Sequence, residues 1–205
     1  MKKLDIYQTL EYLESEELET QVIALEAAAE IVNLFALKTV ETFSKAAHKF
    51  PLAERLYRFG SIIVPHLEQL LDRTEDSETK ILAAVVLLRL GSSRGIDVLL
   101  NAISRDEQYP CLAASSLAAA GVKKAINPIG DRLRSATFEE IDLIVGLLTA
   151  LEELNGEIPA DIYRRFTVAD APWQIKFMLE NGELNGGREL VLESVGAHYI
   201  REINY

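Results

Sequence analysis

An all-α fold of stacked helix pairs, an α-α superhelix, is predicted by three observations. The first is an internal repeat. Ile81-Leu-Ala-Ala-Val-Val-Leu-Leu-Arg-Leu-Gly91 aligns without gaps on Cys111-Leu-Ala-Ala-Ser-Ser-Leu-Ala-Ala-Ala-Gly121, thirty residues on. The match continues past the glycine, with Ile96 on Ile126, Leu99 on Ile129 and Ile103 on Leu133. The second is that each half of the unit carries its own helical apolar pattern. The third is that degenerate copies flank the two clear ones. A fixed period of this size marks supersecondary units that bury their apolar faces against their neighbours.

In the clear unit, Glu78 to Leu90 puts Ile81, Ala84, Val85 and Leu88 at helical spacing, with alanine at close-packing positions. This predicts a largely buried helix. Gly91 stands where a helix C-terminus favours a residue tolerant of positive φ. Ile96, Leu99, Leu100 and Ile103 then form one stripe, with Asp97 and Asn101 opposite, which predicts an amphipathic second helix. Upstream, Phe59-Gly60 precedes a helix from Ile63, with Pro65 in its first turn as Pro128 is in the helix from Ile126. Downstream, Ile141 to Leu151 continues the thirty-residue offset, and Pro159 to Phe166 supplies its second helix.

The ends are less regular. Residues 4–16 predict a short amphipathic helix with Ile6, Leu10 and Leu13 inward, capping the first open face of the stack. Glu19 to Phe35 and Leu37 to His48 read as a further helix pair, and Pro51 breaks the helix before it. Asp76 or Ser77 is the expected N-cap of the buried helix. Thr137-Phe-Glu-Glu140 has capping-box spacing at the start of the fourth unit. Asp170-Ala-Pro172-Trp173 opens a helix to Glu180, and Asn181-Gly182 and Asn185-Gly186-Gly187 are turn signals. Arg188 to Tyr205 fits a last helix or two short strands around Gly196. A helix is favoured, because a helical stack offers strands no sheet to join.

The Leu-Ala-Ala…Leu…Gly core and the turns Gly91-Ser-Ser-Arg94-Gly-Ile96 and Gly121-Val-Lys-Lys-Ala-Ile126-Asn-Pro128 resemble the short bacterial HEAT-like repeats first associated with phycobilin lyases. The family's usual Asp-Pro-Arg-Ala turn survives only as Arg94, Ala125 and the later proline. The resemblance covers residues 50–155 and implies a HEAT-like solenoid of about five helix pairs with a divergent C-terminal segment. The whole of 1–205 is then expected to be one domain: an N-terminal capping helix over 1–18, helical-pair repeats over 19–166, and a C-terminal cap over 167–205. Fold alone does not fix function here.

Charge narrows the function. The net charge is −11, distributed as −6 over residues 1–36, +3 over 37–60, −2 over 61–106, +2 over 107–136 and −8 over 137–205. Nucleic-acid binding needs cations to neutralise phosphates, so no nucleic-acid partner is expected. A HEAT-like family that excises DNA bases does so from a strongly basic face, which this acidic chain with its single Trp173 lacks. An acidic surface favours a basic protein partner. The N-terminus lacks the apolar core of a signal peptide, no uninterrupted apolar run reaches membrane-spanning length, and one cysteine allows no internal disulfide. A cytoplasmic protein without a membrane partner is expected.

Catalytic signals are wanting. His48, His66 and His198 show no metal-ligand spacing, Cys111 falls on a buried helix face, and no phosphate-binding loop or nucleophile elbow occurs. The carboxylate doublets Glu16/Glu17, Glu139/Glu140 and Glu152/Glu153 read as solvated surface. The expectation is therefore a non-enzymatic protein-binding module without cofactor or metal. In a concrete form it is an acidic inhibitor or immunity-type protein that neutralises a basic partner. Phycobilin-lyase-like chromophore handling, implied by the resemblance, and an adaptor role in a larger assembly are the alternatives. The candidate binding residues are the polar columns of the second helices. One aligns Glu68, Asn101 and Asp131, another aligns Val64, Asp97 and Asn127, and Asp72 lies one turn beyond Glu68.

Overall fold

A computed structural model describes residues 4–104, 109–154 and 156–181. Among these residues the protein is all-α, with no strand. The chain divides into two compact units, residues 1–92 and 93–205, with the boundary inside the turn that follows Gly91.

Unit 1 opens with α1 (Ile6–Leu13) and α2 (Leu18–Lys45), followed by α3 (Phe50–Leu56), a 3-10 stretch (Tyr57–Ile63), α4 (Val64–Arg73) and α5 (Ser77–Arg89). Asp5 caps α1 in a full capping box with Gln8, its carboxylate accepting from the amides of Tyr7 and Gln8 at 2.9 and 2.8 Å. The expected helix pair over 19–48 is instead the single 28-residue α2. Nothing between Phe35 and Leu37 can break it: Ala36 is the best helix former and neither glycine nor proline is near. Pro51 sits in the first turn of α3, where its missing N–H costs no helical bond.

The core of unit 1 gathers Ala36, Val40 and Phe43 of α2, Ala53 and Leu56 of α3, Ile63, Leu67 and Leu71, and Ile81, Leu82, Ala84 and Leu87 of α5. Burying each large side chain stabilises by about 1.5–3 kcal/mol. Asp76 is the N-cap of α5 and accepts from the Thr79 amide at 3.0 Å and from the Thr79 hydroxyl. Those bonds, with Lys49 nearby at 3.5 Å, hold the Asp76 carboxyl below its usual range. At the other end of α5, Ser92 N donates to Leu87 O and Gly91 N to Leu88 O, with Gly91 at φ +84°. This is a Schellman closure, and it is why the repeat carries glycine there.

Unit 2 contains α6 (Ile96–Ser104), α7 (Pro110–Ala119), α8 (Ile126–Ser135), α9 (Ile141–Glu153), α10 (Ala160–Phe166) and α11 (Trp173–Asn181). Single 3-10 turns, Ser93–Gly95 and Lys123–Ala125, lead into α6 and α8. α6 packs on α7 and α8, and α7 packs on α9. α7 ends in the same closure as α5: Val122 N donates to Leu117 O, Gly121 N donates to Ala118 O, and Gly121 has φ +68°. α9 approaches α7 so closely that a Cβ on Gly146 would stand 2.8 Å from Cys111 Sγ.

The capping-box spacing at Thr137 gives a turn rather than a helix start. Glu140 accepts from the Thr137 amide at 2.8 Å, and α9 begins only at Ile141. Arg132 holds the other carboxylate oxygen of Glu140 at 2.8 Å. Arg165 of α10 donates to the carbonyls of Leu133, Arg134 and Ala136, satisfying the open C-terminus of α8. The turn signals at 182 and 185–187 and the helix expected over 188–205 lie outside the described residues.

Candidate partner-binding surfaces

The six residues of the expected polar columns fall in both units. Glu68 and Asp72 are on α4, Asp97 and Asn101 on α6, and Asn127 and Asp131 on α8. Packing of α6 on α8 brings the last four onto neighbouring helices, and all four are exposed. Asp72 is also exposed. Glu68 is half-buried and accepts from the Ser92 hydroxyl at 2.8 Å, so it helps to close the turn after α5. Asp131 is held by Arg134 at 2.8 Å, and the same guanidinium reaches Asp161 at 2.8 Å. The Arg134 guanidinium beside it keeps the Asp161 carboxyl below its usual range. Of the six residues, Glu68 and Asp131 are thus held by internal partners, while Asp97, Asn101 and Asn127 are exposed.

A different surface emerges on the N-terminal hairpin, and the sequence reading of its polarity needs correction. Spacing places Ile6 and Leu10 inward on α1. The buried residue of α1 is instead Thr9, whose hydroxyl donates to Asp5 O at 2.7 Å, while Ile6 and Leu10 are exposed. α1 packs on α2, whose first half buries Ala24. A two-helix hairpin cannot enclose a full apolar stripe on each helix, and the remainder faces solvent.

α2 has three faces by helical periodicity. One carries buried Ala24 and half-buried Ile31. The second carries Leu18, Val22, Leu25, Ala29 and Val32 and then Ala36, Val40 and Phe43. The first five are exposed, Leu18 and Leu25 at 72% and 61%, whereas the last three are buried in the core of unit 1. The third carries Glu19, Glu26 and Glu30 before Asn33. Asn33 Oδ1 lies 2.9 Å from His66 Nε2 of α4, which marks where the rest of unit 1 meets α2. Residues 4–37 contain eight carboxylates, all exposed, and no Lys, Arg or His. The signal for this surface is present in the sequence as spacings of four and three residues from Leu18 to Ala36. That spacing is also how a core helix reads.

By length and composition α2 is long and apolar enough to cross a membrane. Its apolar window contains Glu26 and Glu30, one turn apart. Near its C-terminal half a cavity of 260 Å³ is lined by Phe35, Phe43, Leu52, Leu56 and Phe59 together with Lys38 and Arg55.

Among the described residues no group of three or more His, Cys, Asp or Glu side chains is placed to hold a metal ion. Cys111 is half-buried between α7 and α9, and burial pushes its thiol up to about 11, against activation as a nucleophile. Compared with known families, curated proteins and solved structures, the chain matches none of them.

Proposed function

We propose that this chain is a non-enzymatic protein-binding module, a small HEAT-like stack of helix pairs that engages a basic protein, in the manner of an inhibitor or immunity protein. One observation carries the reading. The N-terminal hairpin keeps an apolar face of α2 in solvent and flanks it on one side with carboxylates, and residues 4–37 carry no Lys, Arg or His. Exposed apolar patches on that scale mark interaction surfaces. Their charged surround selects the partner's sign and speeds encounter with it. The two in-register closures at Gly91 and Gly121 support the repeat reading.

Insertion of α2 into a membrane is the weaker use of the same apolar surface. A carboxylate near the bilayer centre costs about 2.5–3.5 kcal/mol, and α2 would bring both Glu26 and Glu30 there. The direct experiment is affinity capture with the full chain from its native host. The expected result is a stoichiometric protein partner with a basic surface, released as ionic strength rises. Recovery of no stoichiometric protein partner overturns the reading.

A further inference from the structure

The stripe on α2 identifies how such a partner would dock, an inference that rests on the protein-binding reading above. Leu18, Val22, Leu25, Ala29, Val32 and Ala36 alternate four- and three-residue steps. This is the spacing of a coiled-coil seam, which presents knobs and holes to a facing helix. From Ala36 onward the seam is filled by unit 1 itself, through buried Ala36, Val40 and Phe43. Before it, five consecutive seam positions are exposed. At about 1.5 Å per residue, Leu18 to Val32 is an open track of roughly 21 Å. α1 does not cover this face, since all five seam residues on it are exposed.

The edges of the track decide its occupant. Glu19 and Glu26 fall seven residues apart along one side of the seam, with Glu30 beside them, and residues 4–37 offer no cation. A second copy seated on the seam would bring its own Glu19, Glu26 and Glu30 to the same acidic helix. An anionic lipid surface would be repelled in the same way. A helix with an apolar seam and lysine or arginine on its flanks gains from both the track and its acidic edge. We propose that Leu18–Val32 of α2 is the docking seam for an amphipathic helix with basic flanks, contributed by a partner protein.

The probe is a synthetic helical peptide of about three heptads, with leucine at seam positions and lysine at the flanks. Its binding to the full chain is read by fluorescence anisotropy. The expected result is 1:1 binding that weakens as salt rises from about 0.05 to 0.5 M. Binding should also weaken roughly a hundredfold in the double variant Leu25→Glu/Val32→Glu, about tenfold for each apolar side chain removed from the seam. Both positions are exposed, and glutamate is a good helix former, so circular dichroism should match the parent. A peptide with the same seam and glutamate flanks should not bind.

The seam assignment is overturned by no binding of the lysine peptide, equal binding by the double variant, equal binding of the glutamate peptide, or a dimer in sedimentation that the double variant abolishes. Uptake by zwitterionic vesicles that the double variant abolishes also overturns it, in favour of lipid. The two readings fail separately. A basic partner captured from the host and retained by the double variant leaves the protein-binding function standing and removes the seam.

Discussion

Leu25 of α2 and Leu117 of α7 occupy similar positions on apolar stripes, yet Leu25 is 61% exposed and Leu117 is fully buried. The difference lies in what surrounds each helix. α7 is enclosed by α6 on one side and α9 on another, and its small residues, Ala113, Ala114 and Ala118, let those neighbours approach. α2 packs on α1, and the five stripe residues of its first half are exposed. One kind of residue therefore meets two environments. In α7 it stabilises the fold, and in the first half of α2 it faces solvent, where the proposed partner helix would meet it.

The contrast can be broken most strongly by truncating the two leucines. Leu117→Ala should lower the unfolding free energy by about 3 kcal/mol, because the site is closed on all sides. Leu25→Ala should change it by less than about 0.5 kcal/mol. Urea denaturation measures both. Equal losses would mean that the α2 stripe is covered in the free chain.

A smaller effect is expected where the repeat turns. Gly121→Ala places a Cβ in the left-handed region at φ +68° and should cost about 1 kcal/mol. Its Cβ would meet no neighbouring atom, so the loss should reflect backbone conformation rather than crowding. Asp76→Ala removes the N-cap of α5 and should also cost about 1 kcal/mol at neutral pH. Because the folded carboxyl is held below its ordinary value, its contribution is present above that value and fades as pH falls through the lowered one. The parent and the variant should therefore converge in stability in acid.

The smallest effect belongs to Cys111. Its thiol is raised to about 11 from an ordinary 9.0, so the folded state favours the neutral form. That contribution is complete below about pH 9 and is lost as pH rises from there towards 11. Thiol titration with a disulfide reagent at pH 8 should accordingly be slow in the native protein and fast in urea. Rapid native labelling would mean that α7 and α9 separate readily.

What the sequence makes legible follows the same contrast. Ile81 to Gly91 and Cys111 to Gly121 are readable because burial, small-residue packing and helix closure all act within the repeat. The structure returns both helices and both positive-φ glycines. The pair expected over 19–48 extrapolates from that repeat, and it fails because no residue near Ala36 interrupts the helix. The orientation of α1 fails for another reason. Ile6 and Leu10 have core spacing, but spacing does not reveal whether a third layer is present to cover them. The polar columns are legible as positions. The engagement of Glu68 by Ser92 and of Asp131 by Arg134 depends on long side chains and turns that spacing does not specify.

Hydrogen exchange of the full chain, with and without the lysine-flanked peptide, sets the two candidate surfaces against each other in one experiment. The docking account predicts added protection in the amides of residues 18–36 on α2, with α6 and α8 unchanged. Added protection on α6 and α8, around Asp97, Asn101 and Asn127, with α2 unchanged, would contradict it and move the binding face to unit 2.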